Sequence, residues 1–469
     1  MHLIHEINSA VLEFLNNINE PLGLILLGIL IVSSVWFCLR TRFVQVRCFK
    51  EMITLICTSN TKIDSKHISS LQAFLLSIAS RIGTGNLAGV ATAIVIGGPG
   101  AIFWMWVMAI TGAASAFAES TLAQLFKSKD EDAYIGGPAY YIYKGLKSKG
   151  FAVTYALFML VYAFSCRMVQ SNTISQAFSS AFGIDTWIMA IIITGASLIV
   201  FYGGIHRIAL VSTYLVPLMA VGYLLLAFFV VVINIDKIPF VILLIVKNAF
   251  GIDQFMGGSV GTAILIGFKR GLFSNEAGEG TTPNAAATAQ TSHPVKQGLI
   301  QALGVYTDTI VVCSCTAFII LCSGLFNNGQ SGIELTQTCL NSQIGPSGSI
   351  FIAIAVLMFA YTTIIANYYY GDCNLHFITS NKLIRNAFCL VCGVSLFWGA
   401  ISSADLAWAF VDLAMFLMAI TNVITIFLLS KYVILCLNDY LAQRKQGLDP
   451  VYHKSTIPEI ADDTECWDD

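Results

Sequence analysis

The chain has 469 residues, of which 56% are apolar and only 11% charged, whereas soluble domains carry roughly 25% charged residues. With a mean hydropathy of +0.75, most of its surface faces something other than water, and the fold class expected is an all-α polytopic membrane protein. A formal net charge of -2 leaves no basic footprint for nucleic acid, and the charges are too few for a disordered or coiled-coil protein.

From the start of the chain, Met1-His2-Leu3-Ile4-His5-Glu6 has neither the basic segment nor the small-residue cleavage site of a signal peptide, so the N-terminus is expected to be retained. A helix that crosses a bilayer takes about 20 mainly apolar residues. Eleven such runs are expected, near 20–40, 72–97, 101–126, 153–182, 187–204, 208–233, 259–290, 295–325, 348–378, 386–402 and 406–438. Residues 239–250 are apolar but too short to cross, and read as an interfacial helix. The tail after Leu441 is polar and acidic and reads as a solvated extension. The domain division that follows is 1–65, an N-terminal helix and loop; 66–238, a first five-helix repeat; 239–258, an interfacial linker; 259–440, a second five-helix repeat; and 441–469, the tail.

Lys and Arg collect in cytoplasmic loops. Arg40, Arg42, Arg47, Lys50, Lys62 and Lys66 follow the first span, and Lys127, Lys129, Lys144, Lys147 and Lys149 follow the third. By contrast, 326–347 has no Lys or Arg and 234–258 has only Lys237 and Lys247. The N-terminus is therefore expected outside and the C-terminus in the cytoplasm. Most of the thirteen cysteines lie in apolar runs such as Cys313-Ser314-Cys315 and Cys389-Leu390-Val391-Cys392, where a thiol serves as a small apolar side chain rather than a disulfide partner or zinc ligand.

The second and seventh spans share a pattern. Gly83, Gly85 and Pro99 recur as Gly278, Gly280 and Pro294 at a constant offset of 195 residues, each set enclosing a small-residue stretch, 88–93 and 284–289. Five spans separate their starts, so the copies run in opposite directions. Glycine costs about 1 kcal/mol in a helix interior, and an unwound turn in lipid needs partners for its freed N–H and C=O groups. Inverted repeats whose first helices are broken point to a secondary transporter with its site at mid-bilayer, the freed N–H groups suiting a carboxylate and the freed carbonyls a bare cation. The pattern Gly85-x-x-x-Gly89 is also a helix-packing motif, but the fixed offset and the neighbouring charges favour a broken, ligand-binding helix.

Arg81, Glu119, Arg167, Lys269, Arg270, Glu276, Glu279 and Asp308 fall inside or at the ends of apolar spans, where an ionisable group costs several kcal/mol unless paired or hydrated. Arg81 with Glu276 or Glu279 is a candidate gating pair, and Glu279 or Asp308 a candidate coupling charge. For Lys269 and Arg270 a functional charge competes with a bland reading, snorkelling or a structural ion pair with a neighbouring carboxylate. Gln170 in the fourth span and Thr362-Thr363 in the ninth are polar groups at membrane depth, either packing contacts or site residues.

Three motifs, Ser80-Arg81-Ile82-Gly83-Thr84-Gly85-Asn86 with its small-residue continuation, Gly136-Gly137-Pro138-Ala139-Tyr140-Tyr141, and Gly271-Leu272-Phe273-Ser274-Asn275-Glu276-Ala277-Gly278-Glu279-Gly280, stand in this order. From about residue 65 to about 440 the chain resembles the alanine/glycine:cation symporters, the sodium:alanine symporter family. The resemblance implies a LeuT-like five-plus-five inverted repeat preceded by one extra helix, and Na+-coupled uptake of a small neutral amino acid such as alanine or glycine. It also implies a multi-pass protein of the bacterial inner membrane, working as a monomer with Na+ as coupling ion and no other cofactor. The stretch 82–86 is similar, more weakly, to the broken helix of the neurotransmitter:sodium symporters. That likeness implies a substrate carboxylate on the backbone of Thr84 and Gly85, and one Na+ among Ala79, Ile82, Phe359, Thr362 and Thr363. Asn86, Gln170, Phe273, Ser274, Gly278, Gly280 and Asn367 complete the substrate site it implies. Two departures from the family pattern, Cys166-Arg167 and Ala366-Asn367, open the door to a larger or more polar substrate. The competing readings are a proton-coupled carrier of another neutral or polar amino acid, a passive channel, and an intramembrane enzyme. For the last, the sequence offers no paired-Asp, His-Glu-x-x-His or Gly-x-Ser-x-Gly motif.

Overall fold

The structure, a computed structural model, describes residues 2–59, 68–130, 134–252 and 259–468. Lys62 and Lys66, and the 253–258 end of the interfacial linker, lie outside the described residues. Among the described residues eight helices are long and apolar enough to cross a membrane: Ser9–Arg40, Gly100–Leu125, Lys149–Phe182, Arg207–Ile233, Pro294–Ser323, Ser347–Ile378, Lys382–Ile401 and Ala404–Leu428. Thr186–Phe201 is shorter, and the runs expected at 72–97 and 259–290 are each two helical pieces with a gap between them.

The gaps fall where the glycines are. Ser70–Arg81 begins on a reciprocal cap in which Ser69 Oγ accepts from Gln72 N and Gln72 Oε1 accepts from Ser69 N. It stops at Ile82, whose φ of -78° and ψ of 91° are extended. The chain re-enters helix through a wide π-helical turn, Gly85–Gly89, and continues as Val90–Gly97. Val260–Asn275 ends at Glu276, a left-handed residue at φ 55°, and helix resumes only at Pro283–Ala287. Gly278 and Gly280 take φ of 84° and 95°, values that an L side chain rarely adopts. The two broken segments are joined at one end: Ile68, just before the first helical piece, bridges Ala289, just after the second, and the Gln290 N–H donates to the Ile68 carbonyl at 2.9 Å.

Gly100–Leu125 is the central column. From Gly112 to Leu125 it is buried throughout and rich in Ala and Ser, small residues that let neighbouring backbones approach closely without a hydrophobic drive between helices. Gly204–Ile233 stands at the opposite extreme, with Leu218, Leu225 and Phe228 about two-thirds exposed, as a lipid-facing helix requires.

Four expectations change. The first span is the end of a longer helix, His2–Arg40, because Pro21 fits within it without ending it. The eleventh breaks at Leu429, and Ser430–Lys445 is a separate helix. The polar connection 326–347 contains a helix, Gly332–Ile344, with Thr336 Oγ1 donating to the Leu87 carbonyl at 3.2 Å. Most of all, the tail is not a solvated extension. Tyr452, Ile457, Ile460 and Trp467 are buried against the bundle, since its apolar residues are spaced to reach the gaps between helix ends while its acids meet lysines there.

Candidate functional site

Each break is built from freed main-chain groups and the side chains that meet them. At the first, Asn86 Oδ1 accepts from the Gly83 N–H at 2.9 Å and Gln170 Oε1 accepts from the Thr84 N–H at 3.1 Å. Asn86 Nδ2 donates to Asp308 Oδ1 at 2.6 Å, and Ser274 Oγ donates to Asp308 Oδ2 at 2.8 Å. Asp308 thereby joins one broken helix to the other. It lies in a π-helical stretch, Tyr306–Cys313, a wide-turn geometry common at functional sites.

Gly85 sits directly on the second helix: a Cβ there meets Phe273 Cδ1 at 3.1 Å and Ser274 Cα at 3.2 Å. At Gly83 a Cβ falls 2.5 Å from Thr363 Oγ1. These glycines serve close approach, not positive φ.

Thr363 Oγ1 lies 3.0 Å from the Ala79 and Phe359 carbonyl oxygens, 3.2 Å from that of Ser80 and 3.4 Å from that of Ile82. A hydroxyl has one proton to give, so most of this oxygen shell keeps unused lone pairs, which fits a bare monovalent cation. Thr362 Oγ1 turns to the same Phe359 carbonyl at 2.9 Å and to Met219 Sδ at 3.8 Å. Of the residues expected to hold Na+, Ala79, Ile82, Phe359 and Thr363 come together here, whereas Thr362 shares only the Phe359 carbonyl and turns toward Met219.

The second break is satisfied differently. Glu119 Oε1 accepts from the Gly278 N–H at 3.1 Å, and Asn422 Nδ2 donates both to Glu119 Oε2 and to the Gly278 carbonyl, at 2.7 and 2.9 Å. Tyr155 donates to the Gly280 carbonyl at 2.9 Å, and Tyr141 to Asn422 Oδ1. Asn284 Nδ2 holds the Gly280 and Thr281 carbonyls and fits against Gly137, where any Cβ would collide with it. That collision gives the Gly136-Gly137-Pro138 motif its reason.

Gly278 and Gly280 therefore face the Gly100–Leu125, Lys149–Phe182 and Ala404–Leu428 helices and do not meet residues 83–86. The second helix touches the first through Phe273, Ser274 and Glu276 instead, the last accepting from Ser80 Oγ at 2.6 Å and from Thr281 Oγ1 at 2.6 Å.

Arg81 forms no ion pair with Glu276 or Glu279. It donates to the Gln301 carbonyl at 3.0 Å and to Thr282 Oγ1 at 3.2 Å, in space that Gly304 leaves by having no side chain. Both oxygens of Glu279 are buried without a well-formed hydrogen bond. Asn367 Nδ2 reaches Ser80 Oγ at 3.3 Å, while its Oδ1 is buried with no partner. Of the Cys166-Arg167 departure, Arg167 lies over the Phe388 ring at 5.6 Å, whereas Cys166 Sγ accepts from Gln170 Nε2 at 3.7 Å and so forms part of the wall at Gln170.

Sequence reasoning missed the far wall. Phe273 packs edge-on against Trp408 at 4.9 Å, and Trp408 lies over the Arg270 guanidinium at 4.2 Å. Arg270 and Lys269 both pair with Asp412, Lys269 Nζ at 2.6 Å. The ion-pair reading of these two bases holds, and snorkelling does not.

The profile of the sodium:alanine symporter family matches residues 7–454. The chain belongs to that family. It is 46% identical over 463 residues to the probable sodium/glutamine symporter GlnT of Bacillus subtilis, covering 98% of this chain and 97% of the relative. To the sodium/alanine symporter AgcS of Methanococcus maripaludis it is 37% identical over 437 residues, covering 90% and 95%. Among solved structures, MhsT in complex with L-phenylalanine superposes with a TM-score of 0.56 at 14% identity, over 85% of this chain and 92% of that one, which shows the same LeuT-like fold. This member of the sodium:alanine symporter family is a membrane transporter and not an enzyme.

Proposed function

We propose that the chain carries Na+ and a small neutral amino acid, such as alanine or glycine, together into the bacterial cell across its inner membrane. The N-terminus is outside and the tail is in the cytoplasm, with the lysine-rich ends of the bundle inside. The substrate carboxylate is received by the main chain at Thr84–Asn86, with Gln170, Phe273 and Ser274 around it. Na+ is received by the carbonyls of Ala79, Ile82 and Phe359 and the hydroxyl of Thr363. The observation that carries this reading is the convergence of those main-chain oxygens on one hydroxyl. Each Na+ moving down the membrane potential supplies about 2.3 kcal/mol per 100 mV, which the coupled solute uses to accumulate.

The test is uptake of labelled amino acids by the purified protein in sealed vesicles under an imposed Na+ gradient. Uptake is expected to collapse when choline replaces Na+ or when Thr363 becomes Val, and robust uptake in both cases overturns the reading.

A more polar substrate is favoured by one observation, the partnerless Oδ1 of Asn367 beside Ser80. An acceptor buried without a donor costs about 1–3 kcal/mol, and a carboxamide side chain supplies that donor. On this reading Asn367→Leu lowers glutamine uptake while sparing alanine uptake. Equal loss of both substrates removes this second reading.

A further inference from the structure

The tail crosses one end of the bundle as a strap with several fastenings. At its start the Tyr452 N–H donates to the Ser292 carbonyl at 2.9 Å, and Ser292 Oγ donates to the Pro450 carbonyl at 2.9 Å. At its finish Trp467 is buried, and its indole N–H lies 3.2 Å from the carbonyls of Gln124 and Leu125. Between them Asp463 pairs with Lys147 and Glu459 with Lys431.

What the finish rests on matters most. Gln124 Nε2 donates to the carbonyls of Ala286 and Ala289, and Lys127 Nζ donates to Ala289 at 3.1 Å while lying under the Trp467 ring at 4.7 Å. Ala286 and Ala289 end the inner half of the second broken helix, and Ala289 bridges Ile68 at the foot of the first. The strap therefore clamps the knot that holds both inner half-helices together.

We propose that residues 449–467 are a latch on the cytoplasmic side, which must lift before the inner half-helices part. This rests on the transport reading above, because parting of those halves is what releases solute inward. Tyr452, Ile457 and Ile460 hold the earlier part of the strap in buried contact, and Trp467 is the buried aromatic at its finish, the fastening that lies on Lys127 and on the Gln124 and Leu125 carbonyls. The ion pairs between them contribute little each and weaken with salt, so at the finish the aromatic contact holds the latch down.

Two measurements on the full chain test the latch. The first is amide hydrogen exchange in nanodiscs, with and without Trp467→Ala. Exchange across 283–293 is expected to rise by about tenfold, the shift that losing one buried aromatic contact produces. Unchanged protection there overturns the latch, whatever the protein transports. The second starts from Lys147→Cys with Asp463→Cys in a Cys57→Ser, Cys466→Ser background, joined in detergent by a bis-methanethiosulfonate reagent and then reconstituted. Fastening is expected to leave Na+-dependent binding of labelled alanine or glutamine intact, to stop uptake, and to be reversed by dithiothreitol. Uptake at the reduced protein's rate while fastened also overturns the latch. Failure of the unfastened protein to take up any amino acid with Na+ counts against the transport reading alone, since the exchange result is independent of substrate.

Discussion

Substituting Gly83 with Ala tests the proposed cation site through a single methyl group. The added Cβ falls 2.5 Å from Thr363 Oγ1, 3.1 Å from Gln170 Oε1 and 3.3 Å from Thr363 Cβ. Ordinary contact requires the Thr363 hydroxyl to retreat by about 1 Å, and it cannot do so without leaving the carbonyls of Ala79 and Phe359, each at 3.0 Å. Overpacking of this kind costs about 1–3 kcal/mol. If that cost falls on the Na+-bound form, the Na+ concentration for half-maximal uptake rises about 5- to 150-fold. The assay is Na+-dependent uptake in vesicles for wild type, Gly83→Ala, Thr363→Ala and the double variant, with thermal stability in detergent as a control for folding. Because the methyl group acts through Thr363, the double variant is expected to be no worse than Thr363→Ala alone, a coupling that a double-mutant cycle reads directly. Additive losses in the double variant would falsify the claim that Gly83 is there to seat the Thr363 hydroxyl.

Asp412→Asn leaves Lys269 and Arg270 buried without their shared counter-charge, a loss of about 3–5 kcal/mol. A lowered melting temperature is expected, partly restored by adding Lys269→Met, and an unchanged one refutes the ion-pair reading. Tyr155→Phe strands the Gly280 carbonyl at a cost of about 1–3 kcal/mol. Melting of the purified protein checks it, and a neutral result shows that water takes the hydroxyl's place. Lys127, beyond the end of the Gly100–Leu125 helix, is pushed down by burial to about 7 from an ordinary 10.5. Above 7 the unfolded chain holds a proton that the folded one lacks, so this lysine makes stability rise with pH from 7 toward 10.5 and adds no slope below 7. Lys127→Gln is expected to flatten that rise in melting curves, and an identical slope in the variant contradicts it.

Breaks and family were legible in the sequence because they rest on local chemistry: glycine where helix cannot continue and small residues where backbones touch. The Gly332–Ile344 helix was hidden because it lacks an apolar run, and its reason to exist is a tertiary contact to Leu87. The tail looked solvated because Tyr452 and Trp467 are isolated aromatics among acids, and nothing in their spacing names the helix ends they fill. Glu119, Tyr155 and Asn422 were out of reach for the same reason. Each serves a glycine more than a hundred residues away along the chain, a pairing that no periodicity encodes.

The two breaks look equivalent in sequence, yet they do different work in space. Around Gly278 and Gly280 the freed groups are taken by Glu119, Tyr155, Asn284 and Asn422, which are themselves buried and cross-linked. Main-chain groups satisfied in this way fix the chain in its unusual path, while both side-chain oxygens of Glu279, between the two glycines, are left without a well-formed hydrogen bond. Around Thr84 the N–H is met by one amide, Gln170, and the carbonyls of Ala79, Ile82 and Phe359 share one hydroxyl. Those are the groups that the proposed carboxylate and cation use, and the amide that meets Thr84 comes from a separate helix, Lys149–Phe182. The repeat thus supplies two opened helices; on the proposed reading the first presents its main chain to cargo, while the second contributes the side chains of Phe273 and Ser274 and holds its shape.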